Sequence, residues 1–154
     1  MFTNFEIMPI QADKTIKFFF LSKSITLKDH KKLKHFLVNL LRKEGKKAAS
    51  VNFIFCSDKY LLDINKRYLQ HDYYTDIITF DLSSDPKSVE AEIYISSERI
   101  RDNANSLNTT IKEETLRVMF HGLLHICGYG DKSKKEKALM REKENYYIQE
   151  FSNS

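Results

Sequence analysis

Hydrophobic positions along the chain follow two rhythms, a short one suited to strands and a longer one suited to helices. The stretch TIKFFFLS at 15–22 is β-branched and aromatic and predicts a strand. In TLKDHKKLKHFLVNLLRKEG, Leu33, Phe36, Leu37, Leu40 and Leu41 recur at helical spacing. Thr26 and Asp29 stand as a capping pair at its start, and Gly45 stops it. ASVNFIFCS at 49–57 predicts a second strand, after which Ser57 caps a short helix carrying Leu61, Ile64 and Tyr68. IITFDLS and EAEIYIS flank the polar turn SSDPKS and predict two strands, paired as a hairpin or lying as neighbours.

Beyond them the rhythm is helical to the end. SSERIRDNANSL aligns Ile100, Ala104 and Leu107 on one face. TIKEETLRVMFHGLLHICG opens with a Thr110–Glu113 capping box and stops at Gly128, and SKKEKALMREKENYYIQEF opens with a Ser133–Glu136 box. Strands interrupted by helices, then helices in succession, predict an α+β sandwich: a mixed four-stranded sheet with about five to six helices.

Composition narrows the setting. At 154 residues, 42% hydrophobic and 30% charged, with two prolines and four glycines, residues 1–154 are expected to form a single domain with a real core. No apolar run reaches the roughly 18 residues a bilayer span requires, so a cytoplasmic protein without a membrane partner is expected. Cys56 and Cys127 each sit in apolar runs and are expected as buried thiols, with no disulfide-linked partner. The net charge of +4 is unevenly placed. Eight basic and two acidic residues between Lys28 and Lys47 leave +6, and six basic and three acidic between Asp131 and Lys143 leave +3. Such faces suit a polyanion, or are the wet sides of amphipathic helices.

The chemistry concentrates in HGLLHICGYGDK. His121 and His125, at i and i+4, present both imidazoles on one helix face, where two ring nitrogens can reach one divalent ion. Gly128 lets the chain reverse and bring Asp131 back toward the pair, with Gly130 giving the loop freedom to approach. On the pair's spacing alone, packed or surface histidines compete evenly with a metal site. The positions at 0, 4 and 10 with glycine at 7 match metzincin-type ligand spacing, but Gly122 occupies the place of the peptidase's glutamate base.

HGLLHICGYGD, with Met140 and Glu144 downstream, resembles the YbeY family of metal-dependent endoribonucleases and ribosomal-RNA maturation factors, whose signature reads His-Gly-x-Leu-His-x-x-Gly-Tyr-Asp-His. NKRYLQHDYYTDIITFDL and AEIYIS resemble the family's two upstream segments, in the same order. The resemblance implies a metalloprotease-like sandwich, one divalent ion (zinc first), single-stranded RNA as substrate, and rRNA precursors and ribosomal subunits as partners. It carries His121 and His125 over as ligands and departs at Asp131, which replaces the third histidine. An aspartate is an ordinary zinc ligand and makes the site harder and more anionic, which lets manganese compete.

Leu69 stands where many members carry an arginine, so no role passes to it. His71 is a candidate for proton transfer or positive charge, or an exposed loop histidine. Arg117, one turn before His121, is a candidate for support behind the site or an ordinary surface ion pair. Lys132, Lys134 and Lys135 are candidates for holding the RNA backbone. A non-catalytic ribosome-assembly factor with a structural metal and a hydrolase of another substrate, such as peptide, are the competing functions.

Overall fold

A computed structural model describes residues 14–154. Strands β1 (Ile16–Phe20), β2 (Lys47–Cys56), β3 (Ile77–Asp81) and β4 (Ser88–Ser96) form one sheet in the order β1-β2-β4-β3. β1 and β4 both run parallel to β2, while β3 pairs antiparallel with β4. The sheet is therefore mixed, as the pattern predicts, and among the described residues β3 lies at one edge. Among the described residues five helices join it: α1 (His30–Lys43), α2 (Asp58–Leu69), α3 (Ser97–Ser106), α4 (Ile111–Ile126) and α5 (Lys134–Ser152).

Strand side chains alternate between faces, and the two faces of this sheet have different covers. Val51, Phe53 and Phe55 of β2 and Val89, Ala91, Ile93 and Ile95 of β4 join the main core with the apolar sides of α1, α4 and α5. Cys56, Ile78, Phe80 and Tyr94 point the other way, to a smaller cluster closed by Leu61 and Ile64 of α2. Both cysteines are free thiols, Cys56 buried as expected and Cys127 only half-buried, and burial pushes their pKa values up to about 12 and about 11. No helix among the described residues is long and apolar enough to cross a membrane.

Most helix starts follow the local chemistry. Ser57 accepts from the Tyr60 N–H, Thr110 from the Glu113 N–H, and Ser133 and Glu136 complete a reciprocal box. The Thr110 box is half-formed, because the Glu113 carboxylate takes the Thr109 hydroxyl instead. α1 departs from the pattern. It begins at His30, with Asp29 at φ 52° and no side-chain cap, so Thr26 lies outside the helix. Its stability comes from burying Leu33, Leu37, Leu40 and Leu41, in keeping with the rule that packing outweighs local signals.

Candidate metal centre

α4 is buried on most of its surface, with Leu116, Met119, Phe120, Leu123 and Leu124 in the core. The face left over carries the histidines, whose side chains are only 21% and 31% exposed and whose ring centroids lie 4.5 Å apart. Gly122 presses this helix against the β3 edge. A Cβ at that position would stand 3.0 Å from Ile77 Cδ1, 3.2 Å from Ile93 Cγ2 and 3.3 Å from Thr79 Oγ1.

The end of α4 then turns the chain back over its own histidines. Gly128, at φ 103°, donates to the His125 carbonyl and Tyr129 N–H to the Leu124 carbonyl, each at 3.0 Å. Those two bonds are the pair expected of a Schellman turn with glycine at its left-handed position. The reversal brings Asp131 Oδ2 to 3.5 Å from His121 Nε2 and 3.2 Å from His125 Nε2. Ligand atoms of these three residues all lie within 4.8 Å of one another. At Gly130 a Cβ would overlap the Glu136 carboxylate of the α5 capping box, which would have to shift.

The hydrogen bonds behind the rings decide which nitrogens face the centre. Nδ1 of His125 lies 2.9 Å from the Tyr129 carbonyl, which can only accept, so this nitrogen carries the proton. In a neutral ring, Nε2 is then a bare lone pair facing a carboxylate oxygen. Nδ1 of His121 lies 2.6 Å from Glu144 Oε2, giving the same arrangement. Two lone pairs and an anionic oxygen converging at these distances repel unless a positive group lies among them. The donor set fits a divalent cation, with the outer partners holding each imidazole in its ligating tautomer.

Glu144 is buried to 4% exposure and is itself held. Arg117 Nη1 donates to Glu144 Oε1 at 3.3 Å and to Asn145 Oδ1 at 2.8 Å. Arg117 therefore sits one residue behind His121 in a chain of charge, rather than facing the centre. Burial works against a charged His121, but the Glu144 carboxylate bonded to it, with the charges of Asp76 and Asp131, holds its pKa above the ordinary 6.5. Folding then takes up a proton. In metal-free protein this group contributes stability that is fully present below about 6.5 and is lost as pH rises through the higher folded value. Urea midpoints of chelator-treated protein are expected to fall above pH 6.5, and Glu144→Gln to flatten that fall. An equal slope in the variant would place the source elsewhere.

Two clefts meet at this point. One, of about 370 Å³, runs from His121 and Asp131 past Asp76 and Glu114 to Lys137 and Arg141. The other, of about 490 Å³, runs from the histidines along β3 to His71 and Tyr73. Asp76 borders both, and burial pushes its pKa up. Glu114 is buried as well, with one oxygen lacking any hydrogen-bond partner, and burial raises its pKa too.

His71 lies in the second cleft, exposed in a loop, with its Nδ1 3.0 Å from the Tyr73 hydroxyl and its ring stacked on Tyr73 at 5.1 Å. Lys132, Lys134 and Lys135 stand around the exposed start of α5, outside both clefts. The cationic lining comes instead from Lys137 and Arg141, one turn apart on α5, together with Arg117. Sequence reading missed Asp76, Glu114, Lys137 and Arg141 as cleft residues. For Lys137 and Arg141 a signal existed: they share the helical face of Glu144 at i, i+4 and i+7.

The same fold and much of the same sequence recur in known proteins. The family model described as Endoribonuclease YbeY matches residues 19–152. A protein of Cytophaga hutchinsonii named Endoribonuclease YbeY is 45% identical over 133 residues, spanning 86% of this chain and 93% of its own length. A protein of Christiangramia forsetii with the same name is 43% identical over 133 residues, spanning 86% and 92%. The solution structure of TM1509 from Thermotoga maritima superposes with a TM-score of 0.62 at 30% identity, covering 89% of each chain.

Proposed function

Because the chain belongs to the YbeY family of endoribonucleases, we propose that it is a metal-dependent enzyme that hydrolyses single-stranded RNA during ribosomal-RNA maturation. The observation that carries this reading is the convergence of His121 Nε2, His125 Nε2 and Asp131 Oδ2 where the two clefts meet. These residues would hold one divalent ion, zinc being the first choice for two imidazoles and a carboxylate. When bound, such an ion polarises a phosphoryl oxygen and makes water a better nucleophile.

The remaining work belongs to this chain's own groups. Glu144 and the Tyr129 carbonyl keep the imidazoles in one tautomer, and Arg117 keeps Glu144 in place. Asp76, lining both clefts with a raised pKa, is placed to accept the nucleophile's proton and return it to the leaving oxygen. His71, at the far end of the second cleft, serves better to contact the substrate than to move that proton. Lys137 and Arg141 offset phosphate charge next to the centre, while Lys132, Lys134 and Lys135 extend the positive surface outward. Rival peptide chemistry is disfavoured because Gly122, where a peptidase's glutamate base would stand, is packed against the sheet. Precursor rRNA on ribosomal subunits in the cytoplasm is the setting this reading implies.

The test is cleavage of a single-stranded RNA by protein of measured metal content, beside Asp76→Asn. The variant is expected to keep its metal and lose about 10²–10⁴ in kcat, the usual range for a general acid or base. Full activity in Asp76→Asn would remove it from proton transfer. Inactive metal-loaded wild type would sink the endoribonuclease reading altogether.

A further inference from the structure

Glu44 stands just past the C-terminal end of α1, 85 residues before Tyr129 in the chain. Its carboxylate gathers three donors. Oε1 accepts from the Tyr129 hydroxyl at 2.7 Å, and Oε2 from the Tyr147 hydroxyl and from Lys143 Nζ, the latter at 2.9 Å. Lys143 also lies over the Tyr129 ring, 5.3 Å from its centroid.

Tyr129 joins this cluster to the candidate centre. Its neighbours are Gly128 and Gly130, so in the turn between Cys127 and Asp131 it is the only residue with a side chain by which the backbone can be anchored. Its carbonyl is the group that accepts from His125 Nδ1. Glu44 thus holds one end of Tyr129 while His125 depends on the other.

We infer that Glu44 is a positioning residue for His125: by anchoring Tyr129 it fixes the carbonyl that selects the Nδ1–H tautomer and aims Nε2 at Asp131. The inference deepens the reading of His125 as a metal ligand and rests on it for its functional meaning. The arrangement also explains why a carboxylate is half-buried here at all. It closes the gap between the end of α1, the loop after α4, and α5, which carries Glu144 to the other histidine.

The experiment uses full-length, 15N-labelled protein stripped with chelator. Long-range 1H–15N correlation reports which His125 nitrogen bears the proton, and competition against a chromophoric chelator reports zinc affinity. Wild type and Glu44→Gln, whose amide oxygen can still accept from Tyr129, are expected to keep a proton on Nδ1. Glu44→Ala and Tyr129→Phe are expected to show mixed tautomers and affinity lower by roughly 10–100-fold, as for other outer partners of metal ligands. Tyr147→Phe removes a donor from the same carboxylate without touching the loop, and should change thermal stability alone.

Unchanged tautomer and affinity in both Glu44→Ala and Tyr129→Phe would overturn the inference. So would Tyr147→Phe shifting them equally, since the cluster would then be a plain structural tie. Wild type that binds no zinc would defeat the ligand reading, and the tautomer comparison would still decide the role of Glu44.

Discussion

Converting either His121 or His125 to alanine is expected to abolish RNA cleavage and to lower zinc affinity by more than about a hundredfold, while the protein stays folded. The expected size follows from what each ring supplies. Each Nε2 is one of three converging donor groups among the described residues, and neither histidine belongs to the core that holds α4 in place. Loss of a bound Lewis acid removes several kcal/mol of charge stabilisation, and roughly 4 kcal/mol corresponds to about a thousandfold in rate. Asp131→Ala should fall between wild type and the histidine variants, because its side chain is 43% exposed and water can take its place. Metal analysis and single-turnover cleavage of the three purified proteins check this order. Unchanged metal content in Asp131→Ala would remove that residue from the ligand set, and undiminished cleavage by His121→Ala would point to a contaminating nuclease.

Gly122→Glu is expected to have the largest effect on stability, and it will not create a peptidase. The substitution writes the sequence His-Glu-x-x-His, which read alone looks like a zinc-peptidase helix. In the fold, the added Cβ already meets two isoleucine methyls and a threonine hydroxyl at 3.0 to 3.3 Å, and the carboxylate would be driven between α4 and the sheet. Overpacking typically costs about 1–3 kcal/mol, and a buried unpaired acid adds several more. A combined loss on the order of 4 kcal/mol should lower the melting temperature by about 10 °C or more in a chain of this size. Calorimetry on Gly122→Ala and Gly122→Glu separates the terms: the alanine variant carries the crowding alone. A Gly122→Glu protein as stable as wild type would show that α4 can move off β3, and would reopen the peptidase reading.

Legibility followed the distance in sequence over which each feature is built. The histidine pair, the turn at Gly128 and the caps at Ser57, Thr110 and Ser133 each involve residues a few positions apart, so their geometry could be read from spacing. Asp29 shows where local reading fails. Its residue type suits a cap, yet its backbone is left-handed and its side chain caps nothing, because α1 is placed by the core beneath it. Gly130 shows the same from the other side: a side chain there would have to displace the Glu136 carboxylate, six positions on.

The partners that tune the site were out of reach for a related reason. Glu44 meets Tyr129 across 85 positions, and Glu144 meets His121 across 23. Nothing near Glu44 marks its pair, since a carboxylate there is usually a solvated one, and Glu144 stood out only through the family resemblance, with no partner attached to it. Asp76 is likewise an ordinary acid in the sequence, and becomes notable only because burial raises its pKa where the clefts meet.

What the residues carried by themselves was the alternation of strands and helices, the mixed sheet, the placing of His121, His125 and Asp131 as candidate ligands, and the likeness to a family. The elements rest on periodicity and spacing, which the backbone's own geometry enforces, while the family and the ligand set rest on the resemblance of three short segments. Folding added the environment: which nitrogen of each imidazole faces inward, what holds it there, why Gly122 leaves no room for a glutamate, and which cations border the clefts. Those are properties of groups brought together from distant parts of the chain, and burial is what gives them their strength.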